Sequence, residues 1–234
     1  MSENTSASAK SLFRAMKAKP QADDRQGDLM QAQESTRPKT AKDKRRSEDF
    51  YPTGQPEAIR ALLARDGDRI RALGSVWEPA CGDGALVREI RNAGIPCDAS
   101  DLIDRGCPDS WLGDFFSIRQ SQAPAIITNP PYNLINARDG HGKWLLHTLN
   151  MTGWRYCALL LSWDWPAARS NGLGALLDAN PFSYCYLMRW KLDFTGEGSP
   201  PQRNAWFVWD LDEVRTEPGF RWLDREDARQ GGFL

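Results

Sequence analysis

From Phe50 onward the chain falls into short apolar patterns of two kinds, and their order carries the fold. Ile59, Leu62, Leu63, Ile70 and Leu73 recur at helical spacing behind the turn Pro56-Glu57, which predicts a helix over that stretch. Val76-Trp77-Glu78 reads as a short strand, Pro79 to Gly84 as a turn, and Ala85 to Ala93 as a helix stopped by Gly94. Cys97 to Ser100, Ala125 to Thr128 and Cys157 to Ser162 predict further strands, with a helix over Lys143 to Asn150 ahead of the last of them. Strands alternating with helices at this spacing imply an α/β fold, a parallel, doubly wound sheet with helices on both faces. The end of the pattern differs. Phe182 to Arg189 and Ala205 to Trp209 are β-type runs separated by a Gly/Pro/Ser-bearing loop at 191–204 without helical periodicity, so they are expected to pair antiparallel and close the sheet with a hairpin.

Residues 1–47 have few large apolar side chains and cannot bury enough surface to offset the entropy of ordering, so they read as a disordered tail. The patterned domain then covers 48–211, and 212–234 reads as a polar C-terminal extension. The formal charge of -1 hides an asymmetry: residues 1–46 carry eleven Lys/Arg against six Asp/Glu, leaving the body acidic. The run Arg37, Lys39, Lys42, Lys44, Arg45, Arg46 either rests on phosphates, adding salt-sensitive affinity for any sequence, or is a solvated leader. No stretch of about 18 apolar residues and no signal-peptide pattern occurs, so no membrane span is expected and the cytoplasm is the expected compartment. Five cysteines without a C-x-x-C pair argue against a disulfide framework and a zinc module. His141 and His147, six apart without an acidic partner pattern, give no reason to expect a metal.

Two segments carry candidate chemistry. Gly82 and Gly84, between a strand and a helix, lack the Cβ that would keep a ligand away from the backbone. Asp101, 17 residues beyond Gly84 at the end of the next strand, is placed to accept hydrogen bonds from both ribose hydroxyls of an adenosyl ligand, with Asp104 a rival. The second segment is Asn129-Pro130-Pro131-Tyr132, directly after the strand Ala125 to Thr128, where open α/β sheets bind their ligands. The prolines fix φ and bias Asn129 toward an extended conformation, which holds its side-chain oxygen and the Pro130 carbonyl as two acceptors. Two acceptors suit an aryl amine: gripping both N–H groups draws the lone pair out of ring conjugation and aims it at an electrophilic methyl. Tyr132 adds a face on which a planar base stacks.

On these residues the sequence resembles the class I S-adenosylmethionine-dependent methyltransferases of the amino-methylating DNA family, in particular small phage- or prophage-type adenine-N6 enzymes. Tyr51 and Thr53, within Phe50-Tyr51-Pro52-Thr53, resemble the family's N-terminal cofactor-contacting motif. Glu78-Pro79-Ala80-Cys81-Gly82-Asp83-Gly84 is similar to its glycine motif, Asp101 to its ribose acid, Asp114-Phe115 to the segment flanking the cofactor adenine, and Asn129 to Tyr132 to its catalytic motif. The resemblance covers about residues 50–210 and implies a three-layer αβα Rossmann-like fold with a seven-stranded, mostly parallel sheet ending in an antiparallel hairpin. It also implies S-adenosylmethionine as cofactor, with Asn129 touching it as well, and DNA as partner.

A base to be methylated at N6 must be flipped from the duplex or supplied single-stranded. Phe194 or Trp190 is expected to stack opposite Tyr132, with Trp163 and Trp165 as rivals, and Arg138 and Lys143 are candidates for the DNA backbone. RNA adenine and the glutamine side chain of a protein are the alternative substrates, since Asn-Pro-Pro-Tyr also suits a carboxamide nitrogen. Only 44 residues separate Gly84 from Asn129, too few for an inserted recognition domain, so low sequence selectivity is expected.

Overall fold

The computed structural model describes residues 53–135, 142–167, 172–194, 198, 202–226 and 228. The tail at 1–47, Tyr51, Arg138 and His141 lie outside them. An eight-stranded sheet runs in the order β3-β2-β1-β4-β5-β7-β6-β8. Its strands are β1 (Val76–Glu78), β2 (Cys97–Asp101), β3 (Trp111–Leu112), β4 (Ala125–Thr128), β5 (Tyr156–Ser162), β6 (Tyr184–Met188), β7 (Asn204–Asp210) and β8 (Gly219–Leu223). Every pairing is parallel except the two that β7 makes, with β5 and β6. Helices α1 (Glu57–Leu73) and α2 (Ala85–Asn92) contribute to the core on one face, and α4 (Lys143–Asn150) and α5 (Leu173–Ala179) to that on the other. The short α3 (Tyr132–Ile135) follows β4.

The expected alternation and the closing hairpin are present, with two additions. The sheet has eight strands rather than seven, because Gly219–Leu223, inside the segment read as a polar extension, pairs in parallel with β6. That strand escapes a pattern search because it lies at the sheet edge: Phe220 and Trp222 remain about half exposed and Arg221 interrupts the apolar run. The dipeptide strand β3 has both side chains exposed and no buried face to impose a pattern.

Helix α1 is fastened to the sheet by polar contacts as well as by its apolar stripe. Trp206 on β7 donates its indole N–H to the Ala58 carbonyl at 2.9 Å. Arg69 donates to both carboxylate oxygens of Asp210, at the far end of β7, at 2.8 Å each. Between them Asp66 accepts the phenol protons of Tyr156 on β5 at 2.8 Å and Tyr186 on β6 at 3.0 Å. Burial pushes the Asp66 carboxyl up from its ordinary value, and the two phenols act against that rise. Replacing this acid leaves two inward-facing hydroxyls without their acceptor. Asp66→Ala is therefore expected to destabilise the fold by about 2–4 kcal/mol, read as a lower urea midpoint at unchanged slope; a midpoint within error of wild type would show that the two phenol hydrogen bonds to Asp66 add nothing to the hold on α1.

Candidate active site

The parallel strands β1, β2, β4 and β5 end on one side of the sheet, and β7, running the other way, begins there. This edge gathers most of the residues singled out by the sequence. Strand β4 is buried along its whole length, and the chain leaves it into Asn129. The Pro131 carbonyl accepts the Leu134 N–H at 3.0 Å and starts α3. Asn129 donates from Nδ2 to the hydroxyl of Thr53 at 3.2 Å, across 76 positions of sequence. Because a carboxamide is planar, fixing Nδ2 on the buried Thr53 directs Oδ1 away from it. The Tyr132 ring is half-buried against the core on the α4 and α5 face, and its phenol oxygen accepts a hydrogen bond from Nδ2 of Asn204, the first residue of β7, at 3.2 Å. Sequence reasoning missed Asn204. Its one local signal is an amide opening the apolar run Ala205 to Trp209.

The glycine turn is built from both sides. Cys81 donates its N–H to the Ser100 carbonyl on β2 at 3.0 Å, and Gly84 donates back to Cys81 at 2.8 Å. Gly82 and Gly84 have φ of 54° and 79°, the left-handed region that favours glycine. At Gly84 a Cβ would lie 2.7 Å from the Cys107 sulfur, so the space left by its missing side chain is filled by this protein's own loop after β2. Asp101 accepts the Gly82 N–H at 2.9 Å on one carboxylate oxygen and the Ile103 N–H at 3.1 Å on the other, joining the end of β2 to the turn. Its rival Asp104 accepts only the local Gly106 N–H, at 2.9 Å, and is exposed. Asp83 accepts the N–H of Ala85, the first residue of α2, at 3.1 Å. Pro79 is buried and Ala80 half-buried.

Glu78 ends β1 with 2% exposure, and burial, followed by the charges of Asp101 and Asp83, pushes its carboxyl well above the ordinary range. Among the described residues Glu78 Oε2 has no hydrogen-bond partner, and neither do Gln55 Oε1, Trp190 Nε1 or Asn204 Oδ1. All four side chains belong to segments at this edge of the sheet, Gln55 lying two residues past Thr53. Buried polar atoms are nearly always bonded, so such exceptions call for a partner that water or a ligand can supply.

Other candidates are placed differently. Asp114 accepts the Phe116 N–H at 2.9 Å and caps a single 3₁₀ turn. Phe115 is buried, its ring stacked 3.8 Å from Trp144, so it serves the core. Trp190 and Phe194 pack against the core on the α1 and α2 face, whereas the Tyr132 ring packs against the core on the other face. Trp165 is buried and donates to the Ile135 carbonyl at 3.1 Å, whereas Trp163, just past β5, is 50% exposed. Lys143 is exposed at the first turn of α4. His147 donates to the Ile118 carbonyl at 2.8 Å and meets Phe115 and Phe116 edge-on, a structural role. Among the described residues no group of His, Cys, Asp and Glu is placed to hold a metal ion, and no helix is long and apolar enough to cross a membrane.

No protein-family model matches the chain, and no curated protein matches it either. Solved structures do. The type I restriction-modification system methyltransferase subunit from Streptococcus thermophilus superposes with a TM-score of 0.50 at 14% identity, over 74% of this chain and 47% of that one. A putative class I S-adenosylmethionine-dependent methyltransferase from Listeria monocytogenes gives 0.50 at 12% identity, over 74% and 66%. The DrdV–DNA complex gives 0.51 at 10% identity, over 80% and 29%. The chain thus spans about half the length of the Streptococcus subunit. The fold is the Rossmann-like fold of class I methyltransferases.

Glu78 yields a prediction independent of any ligand. The ordinary value for the carboxyl is 4.5 and the folded value lies well above it. Above pH 4.5 the unfolded chain ionises Glu78 freely while the folded one resists, so this residue subtracts from stability as pH rises toward its folded value. Glu78→Gln should be more stable than wild type near neutral pH, with the gain closing toward pH 4.5. Melting temperatures measured across that range check it, and a gain independent of pH would contradict it.

Proposed function

We propose that this protein transfers the methyl group of S-adenosylmethionine to the exocyclic N6 amine of adenine in DNA. The observation that carries the reading is Asn129, opening Asn-Pro-Pro-Tyr beyond the buried strand β4 with its amide oriented by Thr53. In this reading the Asn129 side-chain oxygen and the Pro130 carbonyl accept the two N–H groups of the amine. Tyr132 stacks on the ring; the new C–N bond replaces the methyl–sulfur bond, whose electron pair stays on the sulfur, and one of the two amine protons leaves to solvent while the other stays on the methylated nitrogen. Catalysis is then mainly positioning.

The residues present fit the cofactor. Asp101 takes the ribose hydroxyls through the lone pairs not used by Gly82 and Ile103. The buried Glu78, with Asp83 and Asp101 nearby, forms an acidic floor suited to a ligand carrying cationic groups, and the Glu78 oxygen without a partner is an acceptor for an ammonium. Phe115 would bound the adenine pocket from within the core, and Asp114 would face it. S-adenosylmethionine supplies an electrophilic methyl on sulfur.

DNA is favoured among amine-bearing substrates by the basic run Arg37 to Arg46 and by fold neighbours that include a restriction-modification methyltransferase subunit and a protein in complex with DNA. Low selectivity fits a chain whose candidate recognition loops are short.

A radiolabelled methyl-transfer assay offered DNA, RNA and glutamine-bearing protein tests the substrate. Asn129→Ala should lower transfer to DNA by about 10³-fold or more while leaving cofactor affinity within about threefold, because its acceptor faces the amine; full activity of that variant would sink the mechanism. Asp101→Ala should weaken cofactor binding by roughly 10- to 150-fold, the loss of charge-assisted hydrogen bonds worth about 1.5–3 kcal/mol. Calorimetry showing no change would move the ribose to another acid.

A further inference from the structure

Strand β7 is buried at all seven positions, and its side chains after the first are Ala205, Trp206, Phe207, Val208, Trp209 and Asp210. At the first position stands Asn204, with 0% exposure. A buried primary amide is costly unless its groups are bonded, so an apolar side chain would be the ordinary occupant. Asn204 is only half satisfied. Nδ2 donates to the Tyr132 phenol oxygen at 3.2 Å and reaches the Leu161 carbonyl on β5 at 3.4 Å, while Oδ1 has no partner among the described residues. Its backbone is set by the pairing of Asn204 with Ser162, the last step of a seven-residue register.

We infer that Asn204 is a positioning residue for the transfer step: it pins the phenol end of Tyr132 to the sheet, so that a ring whose backbone is fixed in α3 presents one fixed face to the target base. This rests on the reading of Asn129 to Tyr132 as the transfer loop. An aromatic attached only through its Cα–Cβ bond rotates between staggered states, and stacking on it orders both partners. Anchoring the hydroxyl 72 positions away in sequence removes that freedom before the base arrives. The sheet supplies the anchor: Leu161 aims the amide, and the amide aims the ring.

Two measurements on the full-length protein test this. The chain has five tyrosines, so in protein labelled with 3-fluorotyrosine the Tyr132 fluorine line is the one missing from Tyr132→Phe. Asn204→Leu, close in shape but without donors, should move that line by more than its width and leave those of Tyr156, Tyr184 and Tyr186 in place. An unmoved Tyr132 line overturns the contact. For the transfer role, kcat on adenine-containing DNA should fall about tenfold or more in Asn204→Leu, yet by no more than about twofold when the same change is made in Tyr132→Phe, where the phenol oxygen is already gone. Equal losses in both backgrounds would mean that Asn204 serves β7 packing only and would overturn the positioning role. Asn204→Ala is the second variant should the leucine fail to fold, and the same outcomes apply. Wild-type protein that methylates neither DNA, RNA nor glutamine-bearing protein would defeat the reading of the transfer loop, and the role of Asn204 in transfer with it, while the fluorine line would still report on the hydrogen bond.

Discussion

Seven consecutive antiparallel pairings between β5 and β7, from Tyr156 with Asp210 to Ser162 with Asn204, set where almost everything else lies. Because β7 runs against its neighbours, its first residue arrives at the edge where β1, β4 and β5 end, and its last at the opposite edge. Both termini then carry polar duties that an apolar strand could not. Asn204 reaches the Tyr132 phenol at one end, and Asp210 takes Arg69 of α1 at the other. Between them Trp206 spends its indole N–H on the Ala58 carbonyl. A slip of one residue would turn every side chain to the other face and break all three contacts together. The register that places α1 is therefore the register that places the aromatic of the candidate transfer loop.

Acidity is the second organising feature of that edge. Glu78, Asp83 and Asp101 come from the end of β1, the turn and the end of β2, and the first of them is buried deeply enough to hold its proton above the usual range. The arrangement is unfavourable in isolation: two neighbouring carboxylates raise the cost of ionising a third that water scarcely reaches. Asp101 offsets part of it by accepting two backbone N–H groups. A cationic ligand offsets the rest, since its charge favours the ionised form of Glu78. An acidic floor of this kind favours a ligand that brings positive charge to it over one that brings more negative charge.

Local pattern was sufficient for the parts of this molecule that are local. The helix from Glu57, the strand Ala125 to Thr128 and the glycine turn lie where periodicity and turn chemistry put them, and because strand ends bind ligands in such sheets, the place of Asn129 followed. What escaped depends on pairings between distant segments. The bond from Asn129 to Thr53 spans 76 positions and that from Asn204 to Tyr132 spans 72, and neither leaves a periodic trace. Strand β8 escaped because an edge strand has little buried face to impose alternation. Phe115, marked by motif, stacks on Trp144, a contact between distant segments that no spacing announces.

Gly84 is required by the packing of its own turn. A glycine between strand and helix suggests room for a ligand, yet here its missing Cβ makes room for the Cys107 sulfur, which a methyl group would meet at 2.7 Å. The positive φ alone would exclude most side chains, and the approach of Cys107 excludes small ones as well. The loop after β2 is thus packed onto the turn after β1. Asp101, which begins that loop, bonds to Gly82 in the same turn. Turn and loop behave as one unit with two attachments, a sulfur against a glycine and a carboxylate on an amide, so the candidate ribose acid is set by the packing of the glycine turn rather than by its own strand alone.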